Sequence, residues 1–172
     1  MFGFFKKKSN SNETAEATPQ AEVHTAPGTQ IRYSPDLIAS LQNDHQTLLG
    51  LYGEINAAFE EKRYADVSSM LTTFRSGLNA HLLTENVRLY IYLDRSLAGD
   101  STSSELIHGF RKEMDDIAKV ALGFLRKYEA IGVDEDLADH FATDFATIGK
   151  VLVERIQKEE STLYPLYMPS YS

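Results

Sequence analysis

The chain has 172 residues, no cysteine and a formal net charge of −8. The missing cysteine excludes disulfides, thiolate-bound zinc, iron–sulfur clusters and a cysteine nucleophile, so any metal must rely on histidine and carboxylate ligands. The acidic balance argues against nucleic acid as a partner, because phosphates need a basic surface, and a hydrophobic share of 42% at this length suits one domain with a real core.

The chain opens Met1-Phe2-Gly3-Phe4-Phe5-Lys6-Lys7-Lys8. Its apolar part is too short for a secretion signal, its basic residues follow where they should precede, and no apolar run approaches the roughly 20 residues that span a bilayer. A cytoplasmic protein is expected. Residues 2–8 offer a weak contact to the inner membrane face, since lysines near an anionic surface contribute about 1 kcal/mol each. Residues 9–33 are rich in Ser, Asn, Thr, Glu, Ala, Pro and Gly and lack the apolar side chains that offset ordering entropy. Residues 1–33 therefore read as a disordered tail, with His24 given no role, and residues 34–172 as the folded domain.

Order is expected to begin at Ser34-Pro35-Asp36, a cap, a first-turn proline and an acid at the positive helix end. Ile38, Leu41, His45, Leu48, Tyr52, Ile55 and Phe59 then recur at three- and four-residue steps, the seam of a bundle helix. A second seam runs through Val67, Leu71, Phe74, Leu78, His81, Glu85 and Tyr92. Leu97 to Ser104 reads as a loop, with Thr102 and Glu105 suited to a capping box. The third stripe is Ile107, Phe110, Met114, Ile117, Ala121, Phe124 and Tyr128, ending near Gly132. The fourth helix opens around Asp134, runs to Pro165 and carries Leu137, Phe141, Ile148, Leu152, Arg155, Glu159 and Leu166 on its seam. The fold class is all-α, an up-down-up-down four-helix bundle. Tyr52, Tyr90, Tyr92 and Tyr128 are expected in core and interface positions.

Two segments match. His81-x-x-x-Glu85 leads into Leu89-Tyr90, and Arg155-x-x-x-Glu159 leads into Leu163-Tyr164. Four residues apart on a helix, His81 and Glu85 share a face about one turn apart and can grip one ion. Arginine stays protonated and is no metal ligand, so the second copy has lost that capacity at Arg155. A carboxylate in the seam is costly without a partner, and Glu85 demands a cation.

His45, the His81/Glu85 pair and the acidic pair Glu159-Glu160 followed by Leu163-Tyr164-Pro165 resemble the hemerythrin-like family, the HHE cation-binding domain, over residues 35–168. The resemblance implies a four-helix bundle around two irons held by histidines and bridging carboxylates, in proteins that carry, store or sense oxygen, iron or nitric oxide. It implies His45, His81, Glu85, Glu159 and Glu160 as metal residues. The helical wheel favours Glu159 as the inward acid, whereas the family uses the later carboxylate with slight unwinding. Met114 stands where the family has a histidine on helix three, and Arg155 replaces the last histidine on helix four. His108 falls on the face opposite its apolar stripe, and His140 lies some four turns from Arg155.

In the arrangement the resemblance implies, both losses fall largely on the same iron, which leaves a set suited to a single Fe²⁺, Mn²⁺ or Zn²⁺ ion, with iron favoured. The first reading is therefore a one-iron sensor, store or regulator of oxygen, iron or redox state. The alternative is a metal-free regulatory or scaffolding bundle in which Arg155 forks between Glu85 and Glu159 or Glu160 and the work is done by protein contact. No nucleophile–base pair or phosphate loop signals an enzyme. A protein partner and a homo-oligomer stay open.

Overall fold

The computed structural model describes residues 23–170. The Phe/Lys segment at residues 2–8 and the tail up to residue 22 lie outside the described residues. Four helical rods follow one another. The first is α1 (Leu37–Glu60); the second joins α2 (Tyr64–Thr84), a π-helical turn (Glu85–Tyr90) and α3 (Ile91–Ser96). The third is α4 (Ser101–Tyr128), and the fourth joins α5 (Ala138–Lys158), a π-helical turn (Glu159–Leu163) and a 3-10 turn (Tyr164–Leu166). The bundle expected from the seams is the fold, and each seam position named above is buried or half-buried. Among the described residues, no helix is long and apolar enough to cross a membrane.

Chain turns follow local chemistry. Between α1 and α2, Lys62 adopts φ +57°, and Arg63 N–H reaches back to Ala58 O, the left-handed wrap that closes a helix C-terminus. At the start of α4, Asp100 accepts from Thr102 N–H and from the Ser103 hydroxyl, so the cap is Asp100 where a Thr102/Glu105 box was expected. Asp134 caps the entry to the fourth rod by accepting from Asp136 N–H.

Residues 23–33 correct the expected tail. A bridge pairs Thr25 with Arg32 around a turn in which Gly28 has φ +71°, and Ala26 is fully buried. Tyr33 stacks on Tyr167 with ring centroids 4.8 Å apart, and Ser34 N–H donates to Tyr167 Oη. The few apolar side chains of this stretch, Ala26, Ile31 and Tyr33, suffice because they close onto an existing core.

That core has two apolar ends. One gathers Ile55, Leu71, Phe124, Tyr128 and Phe141; the other gathers Leu41, Leu89, Tyr92, Ile107 and Leu163. The buried polar residues, His45, His81, Glu85, Arg155 and Glu159, occupy the sequence positions between these two groups on three of the rods.

Candidate metal centre

The π turns place the site's carboxylates. In an α-helix residues four apart share a face, but a π turn takes up one more residue and brings residues five apart together. Tyr164 N–H accordingly bonds Glu159 O, and the pairs Glu85/Tyr90 and Glu159/Tyr164 each present their polar ends toward the same layer. Both tyrosines are buried.

Four ligand-capable atoms converge there. His45 Nε2 lies 3.2 Å from His81 Nε2 and 3.2 Å from Glu159 Oε2, and His81 Nε2 lies 3.6 Å from Glu85 Oε1. All four atoms are within 4.8 Å of one another. A tetrahedral ion with bonds of about 2.1 Å has ligand edges of roughly 3.4 Å, close to the three shortest separations, and the wider ones would draw in around one cation.

The outward nitrogens explain why the inner ones are available. His45 Nδ1–H donates to Glu160 Oε1 at 2.8 Å, and His81 Nδ1–H donates to Asp44 Oδ2 at 3.1 Å. Each carboxylate holds a proton on Nδ1 of its ring and aims Nε2 inward, the outer support that metal-bound histidines have. Glu160 thus lies outside the converging set, and Glu159 is the inward acid. The half-exposed Glu160 and Asp44 carry the supporting charge at the bundle surface.

Electrostatics point the same way. Burial, reinforced by the charge of Glu159, pushes the Glu85 carboxyl up to about 8. Its Oε2 is buried with no hydrogen-bond partner, while Oε1 accepts from Tyr164 Oη at 2.8 Å. Burial works to raise Glu159 as well, but the hydrogen bond from His45 and the Arg155 guanidinium outweigh it and hold it below the usual range. His45 is opposed by burial yet raised on balance by Glu159 and Glu160, whereas burial lowers His81 despite Asp44. Without a cation, the proton shared across the 3.2 Å imidazole pair therefore resides on His45. A cation among these atoms would replace that proton and draw on the Glu85 carboxylate, so the donor set fits one ion.

Arg155 fills the other side. Its Nε donates to Glu159 Oε1 at 2.5 Å, one terminal nitrogen donates to Tyr90 Oη at 2.7 Å and the other to Glu113 Oε2 at 3.4 Å. The guanidinium carbon sits 4.7 Å from the Phe110 ring centre, and Lys158 shares Glu113 at 3.0 Å. Of the expected fork between Glu85 and Glu159 or Glu160, the Glu159 arm is present and the Glu85 arm is not: the other partners are Glu113 and Tyr90, because the π turn swings Tyr90 inward while Glu85 faces the imidazoles. Glu159 consequently bridges, with Oε2 toward the histidines and Oε1 toward the guanidinium.

Met114 lines a cavity of about 40 Å³ with His45, His81, Arg155, Glu159 and the apolar Leu48, Phe74, Leu78 and Leu152. The space suits a water-sized guest. His108 and His140 are exposed, and His24 is occupied elsewhere, its Nδ1 3.1 Å from Ser170 O.

Sequence reasoning missed Asp44, Glu113, Tyr90 and Tyr164 as site residues. Asp44 had a signal in its place just before His45, since adjacent residues on a helix diverge by about 100° and such an acid can serve a neighbouring rod. The other three depend on the π turns and on contacts between rods.

The sequence model of the hemerythrin HHE cation-binding domain matches residues 36–167. No curated protein and no solved structure matches the chain.

Proposed function

The chain belongs to the hemerythrin HHE cation-binding family, and from that premise we propose that its core binds one ion, iron, through His45, His81, Glu85 and Glu159. The guanidinium of Arg155 takes the place of a second cation. In this reading the protein is a sensor, store or regulator of oxygen, iron or redox state and not an enzyme. The observation that carries it is the pair of imidazoles whose Nδ1–H groups are both held by carboxylates while their Nε2 atoms meet 3.2 Å apart. Two imidazole Nε2 atoms and two buried carboxylates gathered at one point, with Glu85 Oε2 left without a hydrogen-bond partner, form a set that a cation would complete.

When bound, iron supplies reversible one-electron chemistry. The chain's own residues do the rest. Asp44 and Glu160 orient the rings, Glu85 and Glu159 balance the charge of a divalent ion, and the apolar walls of Leu48, Phe74, Leu78 and Leu152 limit water. Arg155 shares Glu159 and thereby weakens that carboxylate as a donor, which favours one ion over two.

A second reading has its own support. Arg155 has donor contacts to Glu159, Tyr90 and Glu113 without any metal, as a metal-free bundle acting through protein contact requires. Metal content by mass spectrometry on anaerobically purified, untagged protein, with an Fe²⁺ titration, separates the two. About one equivalent, lost in His81→Ala, supports the metal reading. A folded protein that refuses iron and other divalent ions would leave the scaffold, and two equivalents would refute the single site.

A further inference from the structure

Tyr164 brings a buried phenol oxygen into the ring of ligand atoms. Its Oη is 2.8 Å from Glu85 Oε1 and 3.3 Å from His45 Nε2, spacings that match those among the ligand atoms themselves. We infer that Tyr164 is a fifth ligand, binding the ion as phenolate once the ion is trivalent; this rests on the metal reading above.

Three features support it. The hydroxyl touches two different members of the converging set, as a vertex of the same shell would, and the ring is locked against His45 at 9° between planes. Its position is made by the π turn, whose bond from Tyr164 N–H to Glu159 O turns the tyrosine onto the carboxylate's side; such turns have poorer packing and persist mostly where a site needs them. The matching tyrosine of the other copy, Tyr90, is taken by Arg155, so the two π turns deliver one phenol to each cationic position.

Charge sets the condition. Glu85 and Glu159 match a divalent ion, and Glu113 answers Arg155. A trivalent ion would add one positive charge beyond the two carboxylates that touch it in a buried layer, which is costly. The Tyr164 phenolate cancels it, and a phenolate is the hard oxygen donor that a trivalent ion prefers. In the step, Fe²⁺ gives one electron to a one-electron oxidant, the Tyr164 O–H bond breaks, the proton leaves to solvent, and a bond forms between Oη and the ion. Oxidation state is thereby coupled to a change of ligand, a suitable basis for a redox readout.

The test loads the full chain with one equivalent of Fe²⁺ anaerobically and adds one equivalent of hexachloroiridate(IV), which is reduced to the trivalent complex. The expected result is a visible phenolate-to-iron charge-transfer band with tyrosine ring modes in the resonance Raman spectrum. Tyr164→Phe, loaded and oxidised in the same way, should lack the band per bound iron, while Tyr92→Phe, whose hydroxyl bonds Met168 O away from the site, should keep it. Wild-type protein that holds oxidised iron without the band overturns the inference even if Tyr164→Phe does not fold, as does a band that survives in Tyr164→Phe. Wild-type protein that takes up no iron overturns the metal reading and this inference together.

Discussion

The two matched turns of the bundle have the same backbone and opposite chemistry. His81–Glu85 and Arg155–Glu159 each place a nitrogen side chain one α-turn before a buried glutamate, and each enters a π turn that carries a tyrosine inward. One copy ends with a carboxylate that has one oxygen without a partner beside two imidazoles that meet through Nε2; the other ends with a carboxylate held by a fixed cation on one oxygen and by His45 on the other. Where the nitrogen side chain can lose its proton the turn offers metal ligands, and where it cannot the turn holds an internal ion pair. Glu159 belongs to both and couples them.

The strongest break is Arg155→Ala in the metal-free protein. It leaves Glu159 and Tyr90 without their buried donor and should cost about 3–5 kcal/mol, measured by urea unfolding. The metal side responds differently to Arg155→His combined with Met114→His. That double variant restores two imidazoles around Glu159 and should raise metal content from one equivalent to two, read by mass spectrometry; unchanged content would mean that Arg155 does not stand in for a cation.

Smaller effects sharpen the contrast. Asp44→Asn removes the negative charge of the acceptor that fixes the His81 tautomer and should weaken metal binding about 10- to 100-fold by competition titration. Glu113→Gln, the corresponding outer change on the arginine side, alters a half-exposed pair and should shift stability by less than about 1 kcal/mol.

The pH response has a definite sign. Glu85 is raised in the folded, metal-free chain to about 8 from a usual 4.5, so the folded state holds more protons between these values. Its contribution to stability is complete below about 4.5 and is lost as pH rises through about 8. A cation displaces that proton, so the stabilisation given by metal should grow with pH across the same window. Thermal melts with and without metal at a series of pH values check this. Metal uptake near neutrality should also release protons from His45 and Glu85, visible as a buffer dependence of the binding heat.

The sequence by itself determined what repeats locally. Steps of three and four residues marked the four rods, placed His45, His81, Glu85, Arg155 and Glu159 inward, and carried the resemblance to the hemerythrin family, because one-face periodicity is a property of neighbours along a single helix. Tertiary structure decided what depends on rods meeting and on departures from α geometry. The π turns brought Tyr90 and Tyr164 into the site and divided the acidic pair between Glu159 inside and Glu160 outside, which a uniform helical wheel cannot register. Packing between rods chose Asp44 for His81 and Glu113 for Arg155, and closure onto a preformed aromatic cluster ordered residues 23–33, whose composition alone offers too little apolar surface to fold.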